Sequence, residues 1–421
     1  MLLGTDIASA MTTLEALRID VIGLNCSTGP EHMREPIRYL GEHARLPISV
    51  IPNAGLPLNA GIGEAVYPLE PAPMATALAE FVRDFGVRIV GGCCGTTPEH
   101  LTAIVAAVKN AEAKHEAPTE RNETHIPRVS SAMRAITLHQ DPPPLLIGER
   151  VNAQGSRKVK RLLLAEDYEG IVQVAREQME AGAHVLDVCV AVTERADEAV
   201  QMSEVVRLLS MSVESPIMID STELDVIKAA LEHIPGRAIV NSINMENGRT
   251  RIDSVLPVVK ANGAAVVALT IDEVGMAKTA ARKLEIARRI HDIATKEYGL
   301  LPEDIIFDAL TFTLATGEAE WLPSAHETIE GIKLIKRELP GVFTSLGVSN
   351  VSFGLDQQAR AVLNSVFRHH CVSAGLDMAI VNPAHVTPYI EIPTEERALA
   401  DDMVFNRRPD SLQRFIEHFA A

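Results

Sequence analysis

The chain has no apolar run approaching the roughly 18 residues that a membrane helix requires, and no signal peptide is visible at its start. No membrane partner is therefore expected, and the cytoplasm is the expected compartment. Positive charge is also in short supply: 39 Lys and Arg face 56 Asp and Glu, for a formal net charge of −17. Phosphate binding depends on clustered Lys and Arg that release counterions, so a nucleic-acid partner is excluded and small molecules or proteins are expected instead. There is no GxxxxGK[ST] loop and no strand followed by GxGxxG, which leaves nucleotide phosphate binding without support. Cysteine is sparse, and Cys26, Cys93, Cys94, Cys189 and Cys371 include no CxxC pair. Without secretory context, these read as metal-binding, catalytic or buried thiols rather than as disulfides.

What is present is the length and patterning of two domains: 421 residues, 47% hydrophobic and 23% charged, exceed what a single core usually organises. From about Leu145 the sequence alternates short apolar runs with amphipathic segments. The runs are "PLLIGERVN", "AHVLDVCV", "SPIMID", "GRAIVNSI", "AAVVALTID", "DIIFDAL", "FTSLGVSN" and "LDMAIVNP". In the intervening "EDYEGIVQVAREQMEAGA", Ile171, Val174, Ala175 and Met179 share one helix face, and Gly182 suits the helix end. Strands apolar on both faces that alternate with helices imply parallel βαβ units. Eight such units predict an α/β fold, a closed (β/α)8 barrel over residues 145–395. Residues 108–144, charged and ending in "DPPP", read as a surface linker. Residues 1–107 show only three strands, "DVIGLNCS", "PISVIPNAG" and "VRIVGGCCG", which is too few to close a barrel. The first helix pattern starts without a strand before it, so this region reads as part of a second barrel cut at its N-terminus.

Cys26, Cys93 and Cys94 all fall at the C-terminal ends of predicted strands, the rim where active sites of such barrels are built. Three thiolates converging there would make a zinc site with one open position, at which a substrate thiol would be deprotonated and made nucleophilic. The alternative is a buried small hydrophobe at Cys26 beside a chance Cys93 and Cys94 pair. His32 and His100 read as surface or capping residues, and Cys371 as core. In the later barrel almost every strand ends in a carboxylate or amide: Glu149 and Asn152, Asp187, Asp220, Asn241, Asp272, Asp308, Asn350 and Asn382. Such a rim, poor in basic residues, suits a neutral, nitrogen-rich heterocycle whose N–H groups need acceptors. Taken singly, each could be a loop residue or helix cap, as Asp220 could.

"GLNCSTGPEHM" and "GGCCGTTPEH" resemble the homocysteine-binding barrel shared by cobalamin-dependent methionine synthases and betaine–homocysteine methyltransferases. That resemblance implies Cys26, Cys93 and Cys94 as zinc ligands, with homocysteine thiolate as the fourth. "IGERVNAQGSRK", "PIMIDST", "IVNSIN", "DIIFDALTF" and "GVSNVSFGL" resemble the pterin-binding barrel of methionine synthases and of methyltetrahydrofolate:corrinoid methyltransferases. By position it implies a folate pocket of Glu149, Asn152, Asp187, Asp220, Asn241, Asp308 and Asn350, with Asn350 and Asp308 acting on the methyl-bearing nitrogen. Two departures from the family pattern are Cys189 in "LDVCV", at an amide position, and Ala309 in "FDA", where a proline is usual. Residues 396–421 resemble the segment leading to a cobalamin-binding domain. In that order the two barrels imply transfer of a methyl group from methyltetrahydrofolate to cob(I)alamin, carried by a separate domain of the same polypeptide, and thence to homocysteine to give methionine. The rivals are another folate–corrinoid methyltransferase, a dihydropteroate synthase-like enzyme, and a non-catalytic folate-binding module.

Overall fold

The computed structural model describes residues 4–59, 65–112 and 125–420, and the chain divides into two units, Met1–His125 and Ile126–Ala421. In the first, α1 (Ile7–Ala16), β1 (Ile22–Asn25), α2 (Pro30–His43), β2 (Ile48–Ile51), α3 (Pro71–Phe85), β3 (Ile89–Val90) and α4 (Pro98–Glu112) follow one another. The three strands pair in parallel, in the order β1-β2-β3, as an open sheet. Prolines begin α2, α3 and α4, where a missing N–H costs no intrahelical bond. The core of this unit joins Ile22, Ile48 and Val50 of the sheet to Ile37 and Leu40 of α2 and Leu78 and Phe81 of α3.

The second unit opens with an antiparallel pair, β4 (Arg128–Ser130) and β5 (Ala135–Thr137). Eight parallel strands then close a barrel: β6 (Leu145–Asn152), β7 (Val185–Cys189), β8 (Ile217–Asp220), β9 (Ile239–Ile243), β10 (Ala265–Leu269), β11 (Ile305–Asp308), β12 (Phe343–Gly347) and β13 (Met378–Val381). Each of the eight apolar runs supplies one strand. The helices between them are α5 (Arg157–Leu164), α6 (Tyr168–Glu180), α7 (Glu198–Ser212), α8 (Leu224–His233), α9 (Thr250–Ala261), α10 (Ala280–Asp292), α11 (Ser324–Glu338) and α12 (Gln357–Ser373), and α13 (Thr394–Val404) and α14 (Ser411–Ala420) follow the last strand. In α6 the face carrying Ile171, Val174 and Ala175 is buried, and Gly182 beyond it takes φ 100°, a conformation that favours glycine. Cys371 is fully buried in α12.

Strand alternation sorts the barrel residues. Leu145, Ile147, Val185, Met218, Ile239, Val267, Ile306 and Met378 form one inner cluster, whereas Leu186, Val188, Ile219, Val240, Val266 and Phe307 pack outward among the helices. Counting in twos along the strands, the next inward positions are Asp187, Asp220, Asn241, Asp308 and Ser345. Apolar filling thus gives way to polar groups at the C-terminal end.

Two expectations change. Residues 108–144 are not simply a surface linker: α4 runs to Glu112, and Val129, Ile136 and Leu138 are buried with the inner barrel cluster at its N-terminal end. Strands of three residues within a charged, Pro-containing stretch carry too little periodicity to be read. Residues from 396 onward, expected as the start of a connection, carry core: Leu399, Met403 and Phe415 pack with Leu363, Val366 and Phe367 of α12.

Candidate functional site

In the first unit the chain turns sharply as it leaves β1. Cys26 and Ser27 have φ of 64° and 63°, a conformation costing a non-glycine residue about 1 kcal/mol and retained only where the surroundings enforce it. The Cys26 amide donates to the Ile51 carbonyl at 2.9 Å, and the Cys93 amide to that of Pro52 at 2.8 Å, so adjacent strand ends are cross-tied. The buried Asn53 accepts from the Cys94 amide at 3.1 Å. As a result Cys26 Sγ lies 3.8 Å from Cys94 Sγ, Cys94 Sγ lies 3.9 Å from Cys93 Sγ, and all three fall within 4.8 Å of one another. Tetrahedral zinc with Zn–S bonds of about 2.3 Å sets its sulfurs ~3.8 Å apart, so this trio fits such an ion with one position open. The Ser27 amide, then the two neighbouring thiols, pull Cys26 below the ordinary thiol range, which favours the ligating thiolate.

Around the thiols stand residues that sequence reasoning did not reach. Tyr67 has its phenol pushed up, chiefly by hydrogen bonding with Cys94. A Cβ on Gly95 would meet Tyr67 Cβ at 2.2 Å, so glycine there, at φ 77°, lets the ring close on the site. His32 is exposed. His100 pairs through Nδ1 with Thr97 Oγ1 at 2.9 Å and through Nε2 with the Leu69 carbonyl at 2.8 Å, a capping role, although it is buried.

In the second unit the inward polar residues converge across the barrel mouth. Asn152 Nδ2 donates to Asp187 Oδ2 and to Asp220 Oδ2, both at 2.8 Å, binding β6, β7 and β8 into one arc. Burial, followed by the negative charge of Asp220, holds Asp187 well above the usual carboxylate range. Burial likewise raises Asp220 and Glu149. Glu149 accepts from Ser349 Oγ at 3.3 Å, and Asn241 stands beside Asp220 in register. Across the barrel Asp308 is buried, and that burial pushes it up to about 6, while the Leu310 amide, donating at 2.7 Å, pulls the other way. Asn350 lies just beyond β12. Its amide nitrogen would be 3.0 Å from a Cβ on Gly347, so the glycine makes room for it.

Two inward polar atoms are buried without a hydrogen-bond partner, Asp187 Oδ1 and Ser345 Oγ. Buried polar groups are nearly always paired, so both are left to meet water or a bound group at the barrel mouth. Ser345 sits beside Asp308 in register. It was missed because serine carries no rim signal; counting in twos from Phe343 would have found it. Cys189, buried, is pushed up to about 12, chiefly by burial, and is a neutral thiol. Two of the expected rim residues are engaged elsewhere. Asp272 is ion-paired with Arg282 and, at 2.8 Å, with Arg289, and Asn382 caps the turn after β13 by accepting from the Ala384 amide. Arg251, also missed, donates to the carbonyls of Ser221, Thr222 and Ser242, fastening the ends of β8 and β9.

Comparison with known proteins gives two family matches: "Pterin binding enzyme" over residues 148–382, more than half of the chain, and "Homocysteine S-methyltransferase" over residues 1–108. The chain is 46% identical over 422 residues to a methionine synthase of Mycobacterium leprae (99% of this chain, 35% of that protein). It is 47% identical over 425 residues to one of Mycobacterium tuberculosis (100% and 35%). It therefore spans about a third of the length of these curated relatives. A solved dihydropteroate synthase of Yersinia pestis, in complex with a sulfonamide drug, matches at a TM-score of 0.45 and 13% identity, over 65% of this chain and 97% of that one. Among the described residues, no helix is long and apolar enough to cross a membrane.

Proposed function

From the premise that the chain belongs to the pterin-binding enzyme family, we propose that its barrel binds methyltetrahydrofolate and delivers the methyl group to cob(I)alamin held by a separate domain. The observation that carries this reading is the inward arc of Asn152, Asp187 and Asp220 facing Asp308. A pterin offers ring N–H and amino donors, and the carboxyl groups of Asp187, Asp220 and Asp308 are acceptors fixed at the C-terminal end of a closed barrel, with Asn152 holding the first two in place. Asp187 Oδ1 is the buried acceptor left free for such a donor.

The tertiary amine of the folate leaves poorly until its nitrogen is protonated or strongly hydrogen bonded. Asn350 answers that need, since its amide can rotate to donate or to accept as charge develops. Asp308 tolerates a proton near neutrality and can hold one near that nitrogen. Because the acceptor brings the nucleophile, the chain needs no nucleophilic side chain here; its contribution is orientation and electrostatics.

In the first unit Cys26, Cys93 and Cys94 would hold zinc and present homocysteine at the open position. Zinc bound there supplies a Lewis acid that keeps a substrate thiol ionised at neutral pH. The resulting assignment is a methionine synthase activity in which homocysteine is the final methyl acceptor, supported by the match of both regions to methionine synthases. The five free thiols suit a cytoplasmic setting. The test is to incubate the protein with methyltetrahydrofolate and free cob(I)alamin and to follow loss of the cob(I)alamin absorption. Folate binding without any such loss would reduce the barrel to a binding module.

A further inference from the structure

We propose that Lys283, which lies outside the pterin pocket, is a positioning residue that fixes the Asp308 carboxylate through the backbone of the loop after β11. Lys283 belongs to α10 yet is only 1% exposed. Its three ammonium donors go to three carbonyls: Ala277 at 2.9 Å, Ala309 at 2.5 Å and Leu310 at 3.1 Å. It thereby joins the loop after β10 to the loop after β11. The second loop needs such support, because Leu310 takes φ 54° without being glycine. Leu310 also donates its amide to Asp308 Oδ1 at 2.7 Å, so the orientation of the carboxylate depends on that strained residue. Thr328 of α11 adds a neutral hydrogen bond to the same Leu310 carbonyl at 2.8 Å.

The neighbouring helix is shaped to admit the lysine. A Cβ on Gly331 of α11 would stand 2.7 Å from Lys283 Cδ, so the aliphatic stem occupies the space that any other residue at 331 would fill. An ammonium buried among carbonyl oxygens and facing Asp308 from α10 lowers the cost of ionising that acid. The ionisable groups acting on this lysine are Asp308 and Glu327 of α11. Burial brings Lys283 itself down to about 8, so below that pH it is charged. Ala309 brings no side-chain constraint of its own to this loop, and Lys283 clamps its carbonyl.

The proposal rests on the reading of Asp308 as a folate contact, and its test separates the two. In the ligand-free protein, the carboxyl carbon of Asp308 is titrated by ¹³C NMR and identified by its absence from Asp308→Asn. Lys283→Met should raise its midpoint by about one pH unit and carry upward with it the inflection that Asp308 gives to the pH profile of methyl transfer. At pH 7 the loosened carboxyl orientation, rather than the midpoint shift, should lower kcat roughly 10-fold with KM changed less, the pattern of a lost transition-state interaction. Thr328→Val, which removes a neutral bond to the same carbonyl, should leave the midpoint in place. If Lys283→Met does not fold, Gly331→Ala, which displaces the lysine stem, carries the same test, and the midpoint must again rise. An unchanged midpoint in a folded variant, or an equal rise in Thr328→Val, overturns the role of Lys283. Failure of the wild type to bind methyltetrahydrofolate would instead overturn the folate reading and leave the titration result standing.

Discussion

The two units place reactive groups at the C-terminal ends of parallel strands in different ways. The open sheet must bend its chain to gather three sulfurs, and it does so with non-glycine residues in a left-handed conformation at Cys26 and Ser27. The closed barrel needs no left-handed residue at Asp187 or Asp220. There, alternation along each strand points every second side chain at a common axis, so convergence follows from closure. Sulfur ligands set by loops suit a compact ion, whereas a ring of acceptors set by strands suits a flat heterocycle.

The comparison is tested most severely at the thiols. Cys93→Ala should lower zinc affinity by at least about 100-fold, since one of three thiolate ligands is lost, and should leave folate binding unchanged. Metal analysis beside folate titration would show it, and full zinc content in the variant would remove the three-thiolate site. Next in size, Asn350→Ala should slow single-turnover methyl transfer by roughly 10² to 10³, the scale of one lost preorganised donor, with a smaller loss of folate affinity. If Asn350 is only a cap, the rate per folded molecule will not move and the melting temperature alone will fall.

A third effect concerns pH. The folded state holds the Asp308 proton up to about pH 6, whereas the unfolded chain releases it near the ordinary aspartate value. The associated stability is therefore fully present below that value and is lost as pH rises to about 6. Two pH units of difference correspond to about 2 to 3 kcal/mol. Asp308→Asn should be the more stable protein at pH 8 and lose that advantage at pH 4, as read by denaturant titration. Equal stabilities at both pH values would show that Asp308 is not so buried. The smallest effect is expected at Ser345→Ala: folate binding weaker by about 3- to 10-fold, a hydrogen bond's worth, with stability held or slightly raised because an unpaired hydroxyl is removed. Unaltered affinity would show that the hydroxyl does not meet the ligand.

Much of this could be read from the sequence where the chemistry lies on strands. Eight apolar runs became eight barrel strands, and their terminal carboxylates and amides marked the mouth. What escaped lies in tertiary packing. Lys283, beside Arg282 in a basic helix, looks like a solvated charge, and only its spacing to Ile286, Ala287 and Ile290 puts it on the buried stripe. Asp272 and Asn382 looked like rim residues because a strand end does not reveal whether an arginine or a turn has already claimed the carboxylate or amide. The contacts of Tyr67 and Asn53 with the cysteines depend on loops whose paths no periodicity encodes.

The hairpin of β4 and β5 also bears on the order in which the chain assembles. It precedes the whole barrel in sequence, yet the Ser130 amide donates to the Arg237 carbonyl, the Arg237 guanidinium reaches back to the Arg128 carbonyl, and Ser131 donates to the Glu214 carbonyl. These partners leave the ribosome about a hundred residues after it. During synthesis the hairpin must wait, and its docking closes a loop of that length at an entropic cost. The hairpin therefore cannot dock until those partners have been made, and Val129 and Leu138 lack their barrel neighbours until it does.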